Sequence, residues 1–261
     1  MRSFACMVSA LTLVAAVPAL AATEPPAPGQ TQAASTAATP YTAAQFFETT
    51  SFSMANPDGL AFSEGRSHVL ISSDQTGVFN AYALPVAGGD PVPLTASTTN
   101  ATFAQSYFPD GRRILVAADQ GGNELTHIYV RETDGTLRDL TPGDKVKAGF
   151  VGFSDDGQTF WLTSNERDAS AFDVYAYDAT TYERKLVFQN PGLNITAVSG
   201  DGRLVALIKS HTSANSDIYL ADLQAGGEPY LISQHTGDVA YDVSGFGPNG
   251  ATLIYTSNQD G

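Results

Sequence analysis

The chain is predicted to be an all-β protein: a β-propeller of four-stranded antiparallel blades, with about four and a half blades present as an open arc. Three observations predict this. A turn glycine recurs at Gly65, Gly111, Gly157, Gly202 and Gly250, with spacings of 46, 46, 45 and 48 residues. A tyrosine follows each of the first four glycines, at Tyr82, Tyr129, Tyr175 and Tyr219. Each unit then ends on Leu94-Thr95, Leu140-Thr141, Leu186-Val187 or Leu231-Ile232. Three anchors in one register define a repeat of the length of a propeller blade.

The elements follow in chain order. Arg2 precedes an apolar run from Phe4 to Val17, and Ala19-Leu20-Ala21 supplies the small residues of a cleavage site. Residues 1–21 therefore read as a secretory signal peptide, cut after Ala21, which places the mature protein in the periplasm or outside the cell. Residues 22–40 are rich in Ala, Pro, Thr and Gln and read as a disordered linker. Residues 41–58 form a lead-in segment. Thr42-Ala43-Ala44-Gln45 has the spacing of a capping box and predicts a short helix there, pinned by Phe46 and Phe47.

The partial propeller is expected over residues 59–261, with blades near 59–96, 104–142, 150–188, 196–233 and an incomplete 243–261. In each blade a short strand leads into an Asp-Gly turn or its equivalent, since Asp and Gly tolerate the positive φ of tight turns. The second strand is apolar on both faces, as in Ile114-Leu115-Val116-Ala117 and Leu204-Val205-Ala206-Leu207-Ile208. Such a strand is covered on both sides. The third carries the tyrosine in alternation, as in Asp217-Ile218-Tyr219-Leu220, and its tyrosine is expected to pack between blades with a satisfied hydroxyl. A fourth strand ends on the Leu-Thr anchor. The fifth unit reaches only its second strand, so the sequence reads as a fragment, and residues 49–56 are the candidate to lend a missing outer strand.

Composition narrows the function. Thirteen basic residues stand against 27 acidic ones, a net charge of −14. A surface this acidic repels phosphate backbones and anionic lipid, so no nucleic-acid partner is expected and the membrane is met only during export. Cys6 is the single cysteine and lies in the signal, which excludes a disulfide framework and any Cys-based zinc site.

The repeats resemble those of two periplasmic groups. The likeness is carried by Phe108-Pro109-Asp110-Gly111-Arg112-Arg113-Ile114, Phe153-Ser154-Asp155-Asp156-Gly157, Ser72-Ser73-Asp74-Gln75-Thr76-Gly77, Asp217-Ile218-Tyr219-Leu220 and Gly88-Gly89-Asp90-Pro91-Val92-Pro93-Leu94-Thr95. One group is the N-terminal propeller of the prolyl oligopeptidase family of serine peptidases, which includes dipeptidyl and acylaminoacyl peptidases. The other is the propeller of the Tol-system translocation protein. The segment Ala44–Phe52 is similar to the lead-in of secreted bacterial peptidases of the first group. In the Tol protein a separate α/β domain precedes the blades. The first resemblance implies a substrate-gating propeller that admits short peptides to an α/β-hydrolase domain lying beyond Gly261. The second implies a non-catalytic propeller that binds protein partners.

No catalytic residue is assigned within the chain. The Gly-x-Ser-x-Gly elbow is absent, and Ser154 in Gly152-Phe153-Ser154-Asp155-Asp156 is a turn residue. The adjacent glutamates with which some dipeptidyl peptidases hold a substrate amine are absent too. His68, His127, His211 and His235 show no metal-ligand spacing and read as solvated or hydrogen-bonded. Asn165-Glu166-Arg167-Asp168 and Asn215-Ser216-Asp217 lack a full calcium-loop pattern and read as turns. Arg112-Arg113 reads as the polar start of a strand, with contact to a peptide carboxylate as the rival role. Asn100 and Asn194 lie in glycosylation sequons, with no sugar expected on a bacterial protein. No cofactor and no metal are expected, and substrate-binding residues stay unassigned.

Overall fold

The structure is a computed structural model and describes residues 41–260. The signal peptide, Cys6 and the linker lie outside the described residues. Residues 41–47 hold the short helix α1 (Ala43–Phe47). Its capping box forms: the Gln45 amide donates to the Thr42 hydroxyl at 3.3 Å, and the Thr42 amide donates to Gln45 Oε1 at 2.8 Å. Phe46 and Phe47 are both exposed, so the cap holds this turn and the two aromatic rings do not pin it by burial.

Residues 48–260 form four four-stranded antiparallel sheets and one two-stranded sheet, in chain order and without ring closure. The first blade is β1 (Phe52–Met54), β2 (His68–Ser73), β3 (Asn80–Pro85) and β4 (Val92–Pro93). The second is β5 (Thr102–Tyr107), β6 (Ile114–Ala118), β7 (His127–Arg131) and β8 (Leu137–Asp139). The third is β9 (Ala148–Phe153), β10 (Thr159–Asp168), β11 (Ala171–Asp178) and β12 (Arg184–Phe188). The fourth is β13 (Asn194–Val198), β14 (Leu204–Thr212), β15 (Asn215–Asp222) and β16 (Tyr230–Leu231). The fifth sheet holds β17 (Tyr241–Phe246) and β18 (Leu253–Ser257).

The core is a series of seams between neighbouring blades. Leu70, Ala104, Tyr107, Ile114 and Val116 fill the first seam. Phe108, Leu115, Ile128, Phe150, Phe160, Leu162 and Tyr177 fill the second, and Trp161, Val174, Val205 and Leu207 the third. The doubly apolar second strands are buried throughout their centres, as a strand covered on both faces must be. The seams are stitched by hydrogen bonds. The Ala104 amide donates to Ser72 Oγ at 2.9 Å, and Ser216 Oγ exchanges bonds with the Tyr241 backbone across the next blade.

The unit-ending Leu-Thr anchor turns out to be a cap. Thr95, Thr141 and Ser233 place a hydroxyl on the third-strand amides of Ala81, Ile128 and Ile218, at 2.9, 3.0 and 2.7 Å. Of the repeat tyrosines, Tyr175 is buried in the second seam, while Tyr129 and Tyr219 are half-buried against the first and third. Tyr82 is buried with its hydroxyl 3.3 Å from Thr76 Oγ1. Burial, then the neighbouring Glu166, pushes the Tyr175 hydroxyl up to about 12, so it stays protonated at any physiological pH.

One expectation is corrected. Residues 49–56 do not serve as an outer strand of another blade. β1 pairs with β2, Phe52 opposite Ser73 and Met54 opposite Ile71, as the innermost strand of the first blade. The first sheet thus begins at Phe52, before the Gly59 read from the repeat. The reason is a loop inside that inner strand, described below, which displaces β1 from the position counted back from Gly65.

The turn aspartates make stability depend on pH. Asp156 Oδ1 accepts the Ser154 hydroxyl at 2.6 Å and the Gln158 amide at 3.0 Å. Asp201 Oδ1 accepts the Ser199 hydroxyl and the Arg203 amide in the same way. These bonds hold both carboxyls below the usual carboxylate range. At Asp110 burial acts to raise the carboxyl, but the amides of Arg112 and Arg113 and the Arg113 guanidinium outweigh it. A carboxyl depressed in the folded state stabilises it above the unfolded value, near 3.9, and loses that contribution as pH falls through the folded value. Thermal melts at constant ionic strength are expected to give a level Tm from about pH 7 to about pH 5 and a steep fall below about pH 4. A Tm unchanged down to about pH 2.5 would contradict this.

Candidate functional site

The first strand of each blade lies at one edge of its sheet. Each later blade carries a one-residue bulge there: Gln105, Val151, Thr196 and Ser244 each lack a partner in the register. Bulges of this kind re-aim side chains and gather near functional sites. The first blade holds a larger insertion at the same place. Met54 faces Ile71 and Phe62 faces Val69. Between them, the Ala55 amide donates to the Leu70 carbonyl at 3.1 Å, and the Leu70 amide donates to the Ala61 carbonyl at 2.8 Å. Residues 56–60 (Asn-Pro-Asp-Gly-Leu) therefore leave the sheet as a strap.

The strap lies on the free edge of β5. The Asn56 amide donates to the Gln105 carbonyl at 3.1 Å, and Asn56 Nδ2 to Gln105 Oε1 at 3.3 Å. The Leu60 amide donates to Ser106 Oγ at 2.7 Å, and the Tyr107 amide to the Leu60 carbonyl at 2.8 Å. A side chain at Gly59 would overlap the Gln105 carbonyl oxygen, so only glycine permits this approach. With the turns of the second and third blades, the strap borders a cleft of about 370 Å³ lined by Asp58, Leu60, Pro109, Phe153, Asp155 and Asp156. Partial desolvation beside the cleft raises the Asp58 carboxyl above its ordinary range. With three carboxylates and no basic side chain among its lining residues, the cleft favours neutral or cationic groups over anions.

The residues singled out from the sequence fall in separate places. Ser154 Oγ donates to Asp156 and accepts the Thr159 amide at 3.0 Å, the bonding of a turn cap. Arg112 is exposed and pairs with Glu64 at 3.0 Å. Arg113 bridges two blades: it bonds Asp110, the Ala179 carbonyl at 2.8 Å and the Tyr182 hydroxyl at 2.6 Å, and stacks on Phe108. Asn165 Oδ1 accepts the Lys147 amide, Glu166 pairs with Arg184, and Arg167 pairs with the fully buried Asp173. Asn100 holds the Gly121 amide and the Gln120 side chain, and Asn194 faces Ile208 in the sheet.

The histidines are all hydrogen-bonded. His68 Nδ1 lies 2.9 Å from Ser67 Oγ. His127 reaches Asp139 at 2.8 Å and the Gly143 carbonyl at 3.1 Å. His211 and His235 converge on Asp217, which sequence spacing did not foresee. His211 Nε2 is 2.8 Å from Asp217 Oδ2, and His235 Nδ1 is 3.5 Å from Oδ1 and 3.0 Å from the Ser233 carbonyl. The imidazoles take different oxygens of one carboxylate. Among the described residues no group of three His, Cys, Asp or Glu is arranged to hold a metal ion.

A repeated polar position was also missed. The residue two before each blade tyrosine is Asn80, His127, Asp173 or Asp217. Each binds the loop that leaves the fourth strand or the neighbouring hairpin: Asn80 takes the Ser97 amide, and Asp173 takes the Asn190 amide and Arg167. The signal was a polar residue recurring inside an otherwise apolar strand.

No known protein family and no curated protein matches the sequence. Solved structures match the fold. An oligogalacturonate lyase in complex with manganese aligns with a TM-score of 0.63 at 14% identity, over 81% of this chain and 61% of that one. A prolyl endopeptidase aligns with a TM-score of 0.58 at 13% identity, over 82% of this chain and 33% of that one. TolB from Acinetobacter baumannii aligns with a TM-score of 0.50 at 21% identity, over 74% of this chain and 46% of that one. The chain spans less than two thirds of the length of each of these proteins. At these identities the likeness is one of fold: the residues described form propeller blades similar to those of peptidases, of TolB and of the lyase.

Proposed function

We propose that this chain is the propeller module of an exported serine peptidase of the prolyl oligopeptidase type, screening short peptides on their way to an α/β-hydrolase domain. The blade signature, Phe-Pro-Asp-Gly at 108–111 and Asp-Ile-Tyr-Leu at 217–220, fits a propeller of either group, and the observation that favours the peptidase is the lead-in Ala44–Phe52. A module that screens and does not cleave also accounts for the side chains. Among the described residues, the one pairing of a serine hydroxyl with an imidazole is Ser67 with His68, sequence neighbours with no carboxylate on the imidazole. Nucleophilic catalysis needs a base oriented by a third group, so this pair is not a triad. In this reading the catalytic serine, aspartate and histidine belong to the hydrolase domain.

Sequencing the source DNA past codon 261 tests the proposal. The expected result is an open frame through further blades into a domain with Gly-x-Ser-x-Gly, and no peptide hydrolysis by purified residues 22–261 alone. A stop codon directly after Gly261, or peptidase activity in those residues, would overturn it. The stop codon would leave a partner-binding propeller of the Tol kind as the better reading.

A further inference from the structure

We propose that the free edge of β5 is a pairing site for an extended peptide, held closed in this structure by the chain's own strap, residues 56–60. The inference deepens the peptide-screening reading and rests on it for the nature of the partner. Its geometry stands on the strap alone.

The strap already binds as a peptide would. Leu60 and Tyr107 form an antiparallel bridge on an edge that β6 leaves free. This is strand addition, in which main-chain hydrogen bonds hold the guest and side-chain pockets select it. Opening the strap would free the Gln105 carbonyl, Ser106 Oγ and the Tyr107 amide together. An unpaired row of this kind is a template for another chain.

The strap is also built to open. None of residues 56–60 is buried, and Pro57, Asp58 and Leu60 are exposed. Both ends are fixed, by Ala55 on Leu70 and by Phe62 opposite Val69, so the loop can lift without disturbing the sheet. Segments held by few contacts and little buried apolar surface are the ones that open locally.

The cleft states what the guest should carry. At the position of Leu60 it meets Pro109 and Phe153, so an apolar side chain fits. Two residues earlier the strap presents Asp58 beside Asp155 and Asp156, like charges with no cation among the lining residues. The strap is thus a poor ligand at that point. A neutral or basic residue there would bind better.

The test uses the nonapeptide of residues 55–63, fluorescently labelled, and its Asp58→Lys form. One protein is the intact chain and the other has residues 56–60 replaced by a single glycine, the bulge length of the later blades. If the strap is open about a tenth of the time or less, the shortened protein binds at least about tenfold tighter than the intact chain. The Asp58→Lys peptide binds tighter than the native one at low salt. Equal affinity for both proteins, or no binding to a folded shortened protein, overturns the inference. Should the shortened protein fail to fold, amide exchange in the intact chain decides. The Tyr107 amide, bonded to the strap, must exchange faster than the Phe108 amide, bonded within the blade to Arg113. Equal protection would sink the proposal. Because the probe is the chain's own peptide, the result does not depend on a hydrolase domain. A stop codon after Gly261 would remove the peptidase reading while leaving peptide binding in place.

Discussion

Phe160→Ala is expected to lower the unfolding free energy by about 3–5 kcal/mol, the cost of deleting a fully buried aromatic ring. Phe160 is the second residue of β10, at the seam of the second and third blades, and has no exposed surface. Its ring lies 5.6 Å from Phe108 and 5.5 Å from Phe153, and stacks on Tyr177 at 5.1 Å. Two of those rings belong to its own blade and one to the preceding blade, so the cavity opens within a blade and between blades at once. Neither sheet can close it without moving against the other, and a site that relaxes poorly is costly. The loss is large against a typical total of about 5–15 kcal/mol. Leu137→Ala, at an exposed position on an outer strand, is the control and should change stability by less than about 0.5 kcal/mol. Urea unfolding of both variants measures the pair. A loss below about 1 kcal/mol for Phe160→Ala would show that this seam is not packed as described.

Much of this architecture was legible because each blade meets the same constraint. The turn glycines, the tyrosines and the apolar second strands recur for one reason apiece, and repetition turned weak local signals into a register. The strap was not legible for the opposite reason. It occurs once, and its composition, Asn-Pro-Asp-Gly, reads as an ordinary turn ahead of a strand. Only the pairing of Met54 with Ile71 and of Phe62 with Val69 reveals that the residues between them interrupt one strand. The meeting of His211 and His235 on Asp217 was hidden in the same way. Their 24-residue separation closes because β14 and β15 form a hairpin and the chain returns along β16. The polar residue two before each tyrosine, at Asn80, His127, Asp173 and Asp217, lies on the same strand and varies in type, so it carries a weaker repeat signal than the invariant tyrosine. Chemistry stayed out of reach because the candidate side chains serve as caps, bridges and turn ligands spread over separate seams.

Gly111→Ala should cost about 2–5 kcal/mol, the sum of a backbone penalty and an overlap between blades. Gly111 has φ of +67°, in the left-handed region where a Cβ costs about 1–2 kcal/mol. That alone makes it a turn glycine. The turn also nests against the preceding blade: the Glu64 amide donates to the Gly111 carbonyl at 3.2 Å. A Cβ on Gly111 would lie 2.6 Å from Glu64 Cα and closer still to its backbone nitrogen. Backbone cannot swing aside as a side chain can, so the turn or the blade must shift, at about 1–3 kcal/mol. Gly226 separates the two contributions. It has φ of +63° and nothing within 4 Å of where its Cβ would stand, so Gly226→Ala should show the backbone penalty alone. The excess of the first loss over the second measures how closely one blade's turn rests on the next. If the two variants unfold at the same urea concentration, the recurring glycine answers to turn geometry only. If Gly111→Ala is the weaker by the predicted margin, Gly111 answers to a second constraint, the contact of the second blade's turn with the backbone of Glu64 in the first.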